Sequence, residues 1–147
     1  MSLKRGKISD RIAVGGQPTE DDLKLLKVEG YEAVINLRRD GEQNQPLDPA
    51  QEGEAAEATG LKYFHIPVNS SDPKREQVEA LKKALSQVKG PVYVHCQGGG
   101  RACTMALLAS EPTATPEQAM AKADAAGFSI TNPTSVQFVQ DVLGGKS

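Results

Sequence analysis

Consecutive apolar positions and helical spacings take turns along this chain. YEAVINL (31–37), LKYFHIPV (61–68) and PVYV (91–94) are short apolar runs that predict strands within a sheet. Between and after them the apolar residues recur at helical intervals, and polar and glycine residues mark the ends. Thr19, with Asp22 three residues later, predicts an N-cap before DDLKLLKVE, which Gly30 terminates. Asp48-Pro49 begins a second helix that stops at Gly60. Asp72-Pro73 begins a third, in which Val78, Leu81, Leu85 and Val88 form one apolar face and which Gly90 closes. RACTMALLA (101–109) reads as a buried helix with Met105 and Leu108 one turn apart, and Thr115-Pro116 and Asn132-Pro133 open two more. Strands alternating with helices indicate an α/β sandwich with a largely parallel central sheet. In such sheets ligands bind at the carboxyl ends of the strands.

The segment HCQGGGRA (95–102) lies at one of those ends, between the strand PVYV and its following helix. Gly98, Gly99 and Gly100 leave backbone N–H groups free to converge at the positive end of that helix, a receptacle for an anion. Cys96 sits inside it with the Arg101 guanidinium close by, a setting that favours the thiolate, the nucleophilic form of cysteine. Arginine can grip two oxygens of an oxyanion at once. A cysteine after a valine-rich strand also serves as a small buried hydrophobe, and a glycine run as a plain turn. Three glycines bracketed by Cys and Arg favour the reactive loop.

This arrangement resembles the signature of the cysteine-dependent tyrosine and dual-specificity phosphatases. GGQPTEDDLKLLKVEGYEAVINLRRDGE (15–42), LKYFHIPV and TPEQAMAKADAAGF (115–128) resemble a bacterial branch of that superfamily, the beta-lactamase hydrolase-like phosphatases, and the likeness covers nearly the whole chain. It implies a single phosphatase-like domain over residues 1–147, folded as a three-layer α/β sandwich like the dual-specificity phosphatases. It also implies hydrolysis of phosphate monoesters, protein phosphotyrosine among them, through a cysteinyl-phosphate. Cys96 would attack phosphorus, while Arg101 and the loop of Gln97, Gly98, Gly99 and Gly100 would hold the oxygens. His95 would brace the loop, and Asp72, in NSSDPK, would protonate the leaving group. For Asp72 a role as an ordinary helix cap competes equally. Asp40, in the RRDGE loop, is the alternative acid or else a solvated turn residue before Gly41. Gln17 and Arg38 either line the pocket or, the favoured reading, are surface polar groups. His65, alternating with Phe64 and Ile66, reads as a structural histidine.

Two positions depart from the superfamily pattern. Four residues rather than five separate Cys96 from Arg101, a spacing shared with rhodanese-type sulfurtransferases. Ala102 stands where the superfamily usually has a Ser or Thr whose hydroxyl stabilises the departing thiolate; Thr104 belongs to a different helical position. Sulfur transfer through a Cys96 persulfide therefore remains an alternative, as does a noncatalytic phosphate-binding module.

Composition narrows the classes further. With 147 residues, 38% of them hydrophobic, the chain can bury a single core, and no apolar run approaches membrane-spanning length. A net charge of -2 with dispersed basic residues argues against nucleic acid as a partner, while the resemblance implies a phosphorylated protein or small phosphate ester as substrate. Tyr63, Phe64 and Tyr93 fall in predicted strands and serve packing. Two cysteines give no disulfide framework, Cys96 and Cys103 lack metal-like spacing to a histidine, and the chemistry requires no metal or organic cofactor. MSLKRGKI has no apolar signal core, so the default location is the cytoplasm, with a removed leader ahead of Met-Ser-Leu left open.

Overall fold

The computed structural model describes residues 3–144; Met1 and Ser2, where the amino-terminal Met-Ser-Leu begins, lie outside the described residues. Among the described residues five strands form one sheet: β1 (Arg5–Lys7), β2 (Ile12–Gly15), β3 (Ala33–Asn36), β4 (Lys62–His65) and β5 (Val92–His95), in the order β1-β2-β5-β3-β4. Only β1 is antiparallel to its neighbour. The expected mainly parallel sheet is observed. β2, β3 and β5 are buried along their whole length, which explains their unbroken apolar runs. The strand from LKYFHIPV is shorter than its pattern suggested, because pairing with β3 ends at His65.

Successive residues of the strands feed two cores, one on each face. Ile12, Val14, Ile35, Val92 and Val94 belong to one, together with residues of α3 (Arg75–Ser86), α4 (Gly100–Ser110), α5 (Pro116–Ala126) and α6 (Pro133–Leu143). Ala13, Val34 and Tyr93 point the other way, against Leu23 and Leu26 of α1 (Glu20–Val28) and Ala56 of α2 (Pro49–Thr59). Helices thus cover both faces, giving three layers. None of these helices is long and apolar enough to cross a membrane.

Most helix boundaries follow from local chemistry. Thr19 and Asp22 form a reciprocal capping box for α1, as do Asp48 with Gln51 for α2 and Thr115 with Gln118 for α5. Asn132 caps α6. The third helix departs from expectation at both ends. Its N-cap is Lys74, not Asp72, because Asn69 draws the preceding residues into a turn: its side-chain Oδ1 accepts from Ser71 N and its carbonyl from Asp72 N. Gln87, not Gly90, closes it, and the Arg11 guanidinium donates to the carbonyls of Leu85, Val88 and Gly90 beyond that end.

The register decides where chemistry can occur. Gly15, His95 and Asn36 lie side by side across β2, β5 and β3, and Asn36 pairs in turn with His65 of β4. The next residue of β5 is Cys96, whose N–H donates to Gly15 O at 3.2 Å. The cysteine therefore emerges at the carboxyl edge of the middle strand.

Candidate active site

Cys96 follows the last residue of β5 and α4 starts four residues later, so the intervening loop must turn sharply. Gly99 makes that turn at φ +113°. A Cβ there would stand 2.2 Å from Phe128 Cε1, so the residue meets both a conformational and a packing requirement that only glycine satisfies. Gly99→Ala is expected to destabilise the protein by about 2–5 kcal/mol, combining left-handed strain with overpacking. Denaturant unfolding checks this, and an unchanged midpoint would contradict the Phe128 contact.

The turn directs two backbone donors at the sulfur. Gly99 N lies 3.1 Å and Ala102 N 3.4 Å from Cys96 Sγ, at the start of α4, where such N–H groups lack partners within the helix. Gln97, Gly98 and Gly100 are exposed and form the rim, while Cys96 is 2% exposed. Cys103, on the same helix, is fully buried, and burial followed by the neighbouring Cys96 charge pushes its thiol up to about 12. Alkylation at neutral pH is therefore expected to be confined to Cys96. Peptide mapping after iodoacetamide treatment checks this; comparable labelling of Cys103 would contradict it.

Arg101 opens α4 and reaches across to the ends of β3 and β4. Its Nη1 donates to Glu42 Oε2 at 2.8 Å, to Val68 O at 2.8 Å and to Leu37 O at 3.2 Å, and its Nη2 donates to Glu42 Oε1 at 3.2 Å. Its Nε is buried and has no partner among the described residues. That is an unfilled demand for an acceptor. Glu42 also accepts from Arg38 Nε at 3.0 Å and from Arg39 N at 2.7 Å. Burial disfavours its charge, but the hydrogen bonds from Arg101, Arg39 and Arg38 outweigh this and hold its carboxyl down at about 2. The stability that this carboxylate contributes is present above its ordinary value of 4.5 and is lost as pH falls through about 2. Acid titration is thus expected to be less damaging to Glu42→Gln than to the natural chain between those limits, and parallel unfolding midpoints would contradict the assignment.

The residues behind the loop overturn the favoured reading of Gln17 and Arg38 as surface groups. Arg38 is fully buried, and Gln17 bridges it to Glu52: Arg38 Nη1 donates to Gln17 Oε1 at 2.9 Å, and Gln17 Nε2 to Glu52 Oε1 at 2.8 Å. Glu52, also fully buried, lies with its Oε2 2.5 Å from His95 Nε2. The other nitrogen, His95 Nδ1, is 3.2 Å from Cys96 O, so His95 touches the loop it was expected to brace. His65 holds the Arg38 carbonyl at 2.6 Å, consistent with a structural histidine. Sequence reading missed Glu42 and Glu52. Glu52 nonetheless shares the buried stripe of Pro49, Gly53 and Ala56, at helical spacing.

The two candidate acids are not brought into this network. Asp40 is exposed beside Gly41, which takes φ +85°. Asp72 is 65% exposed and pairs with Lys74 at 3.1 Å. It lines an open groove of about 420 Å³ between its loop and α6, with Pro73 and Phe138. Those last two residues also line a separate, smaller cavity with Arg101 and Thr104.

Residues 6–114 match the family described as beta-lactamase hydrolase-like protein, phosphatase-like domain. The chain belongs to this family. It is 35% identical over 106 residues to a beta-lactamase hydrolase-like protein of Agrobacterium fabrum, covering 72% of this chain and 25% of the relative. The chain thus spans about a quarter of the length of the curated relatives it matches. Among solved structures, a candidate phosphatase from Shewanella putrefaciens superposes with a TM-score of 0.76 at 28% identity, over 94% of this chain and 91% of that one. A kinase-associated phosphatase with its catalytic-site cysteine replaced by serine gives 0.75 at 17% identity, over 100% and 98%. The fold is that of the tyrosine and dual-specificity phosphatases.

Proposed function

We propose that residues 1–147 act as one phosphatase-like domain that hydrolyses phosphate monoesters, phosphotyrosine in proteins or small esters, through a cysteinyl-phosphate on Cys96. The observation that carries this reading is the convergence of two backbone N–H groups on Cys96 Sγ, beside an Arg101 whose buried Nε has no acceptor among the described residues. A tetrahedral oxyanion over the sulfur would take that Nε and the amides of the Gln97–Gly100 rim as donors. Cys96 Sγ attacks phosphorus in line, the S–P bond forms and the P–O ester bond breaks. The proton of Asp72 goes to the departing oxygen. Water then attacks phosphorus, gives its proton to Asp72 and releases phosphate and the Cys96 thiolate. Arg101 retains Glu42 throughout, because Nη1 and Nη2 serve the protein while Nε serves the ligand.

Membership in a phosphatase-like family supports hydrolysis over sulfur transfer, whereas the short loop and the buried methyl of Ala102 favour the latter. One preparation assayed for aryl phosphate hydrolysis and for thiosulfate-to-cyanide sulfur transfer separates them. Hydrolysis that vanishes in Cys96→Ser is expected. Sulfur transfer without hydrolysis would replace this reading, and inactivity in both with retained phosphate affinity would leave a binding module.

A further inference from the structure

We infer that Lys4 is a specificity-determining residue, an exposed cation beside the reactive loop that selects esters carrying a second anionic group about 10 Å from the scissile phosphate. The inference rests on the proposed reading of Cys96 and Arg101 as an oxyanion site, and deepens it. Register places the residue. Arg5 pairs with Gly15 and Gly15 with His95, so the row one step nearer the carboxyl edge holds Lys4, Gly16 and Cys96. Gly16 N donates to Lys4 O at 3.0 Å, which continues the pairing past the end of β1. Two strand spacings, about 10 Å, therefore separate the Lys4 and Cys96 backbones.

Alternation along the strand then sets the side. Arg5 points to the face of α1, where its guanidinium lies over Tyr31 and pairs with Glu29 at 2.6 Å. Lys4 points to the other face, and its Nζ lies 5.1 Å from the centre of the Phe128 ring. Phe128 and Cys96 belong to the core on that same face. The edge of the Phe128 ring fills the space beside Gly99, so the cation stands one ring away from the turn whose N–H reaches the sulfur.

The ammonium is available to a ligand. Lys4 is exposed and has no carboxylate partner among the described residues, whereas the adjacent Arg5 is held by Glu29. The Phe128 face orients the side chain without neutralising its charge. Sheet order gives the selection a direction. Lys4 precedes β1 at one edge and Asp72 follows β4 at the other, with Cys96, after the central β5, between them. The groove on the Asp72 side also carries Asp141, so a second anion is repelled there and attracted at Lys4.

The test is isothermal titration of the full chain carrying Cys96→Ser, which keeps the loop donors and lacks the proposed nucleophile. Two ligand pairs serve as probes: 6-phosphooxyhexanoate beside hexyl phosphate, and a phosphotyrosine peptide with flanking glutamates beside the same peptide with glutamines. At low salt the more anionic member of at least one pair is expected to bind about fivefold more tightly, the scale of one exposed charge pair, and the gain fades at about 0.5 M salt. Lys4→Gln removes the gain and Lys4→Arg keeps it. Lys7→Gln, at the opposite end of β1, keeps it as well. A gain with the carboxylated ester alone assigns the second anion to a small substrate, and a gain with the peptide alone to an acidic protein segment. Equal affinities within both pairs overturn the inference, and so does a gain that survives Lys4→Gln. Hydrolysis by the natural chain without such a gain removes this inference and leaves the phosphatase reading standing. A Lys4-dependent gain in a protein that hydrolyses no phosphate ester does the reverse, and binding of none of the four ligands removes both.

Discussion

Cys96→Ser is expected to reduce phosphate-ester turnover by about 10⁶, the scale on which loss of a covalent nucleophile is felt. Cys103 is fully buried with its thiol pushed up to about 12, so it does not substitute for Cys96. A serine hydroxyl would have no base to ionise it, since His95 is occupied on both sides by Glu52 and the Cys96 carbonyl. The Gly99 and Ala102 amides and the Arg101 side chain are unaltered by the change, so affinity for inorganic phosphate is expected to survive. Isothermal titration beside steady-state kinetics checks both halves. Turnover retained within about tenfold would remove Cys96 from the mechanism.

Asp72→Asn is expected to depress turnover of an alkyl or tyrosyl phosphate by about 10² to 10⁴, while sparing an ester whose leaving group needs no proton. The prediction depends on movement. Asp72 is 65% exposed and tied to Lys74, on the segment between β4 and α3 in which the Val68 carbonyl accepts from Arg101. A rotation of the loop about Pro73 would exchange the Lys74 pair, which as an exposed ion pair contributes little, for the leaving oxygen. Lys74→Ala should then leave the chemistry intact. Asp40→Asn is expected to have little effect, because Asp40 lies in the exposed turn at Gly41. Equal losses with good and poor leaving groups for Asp72→Asn would assign that residue to binding, and a loss confined to Asp40→Asn would transfer the role.

The features that sequence made legible are those settled by neighbours a few residues away. Thr19 with Asp22, Asp48 with Pro49 and Asn132 with Pro133 mark helix starts because a cap is a local hydrogen bond. The glycine run between Cys96 and Arg101 is legible for the same reason. β1 and β2 escaped notice: three or four residues carry too little periodicity, and β1 takes its place only by pairing with β2. The start of α3 was misplaced because Asn69 competes locally for the residues that Asp72 would have capped. Glu52 was least accessible. A buried carboxyl is tolerable only with its partners, and His95 lies 43 residues away. Glu42 is a middle case, since its pair with Arg38 is local and its pair with Arg101 is not.

Ala102 bears on how the central claim can be observed. Its methyl is fully buried and only its backbone N–H reaches Cys96 Sγ, so no side-chain hydroxyl at that position assists departure of the thiolate. The intermediate should therefore accumulate. Rapid mixing with an activated aryl phosphate, acid quench and mass analysis of the peptides tests the account most directly. The expected result is a burst of aryl alcohol equal to the enzyme concentration, with phosphate attached to Cys96. Hydrolysis that proceeds with no phosphate on Cys96 at any quench time, or with phosphate on another residue, would contradict it.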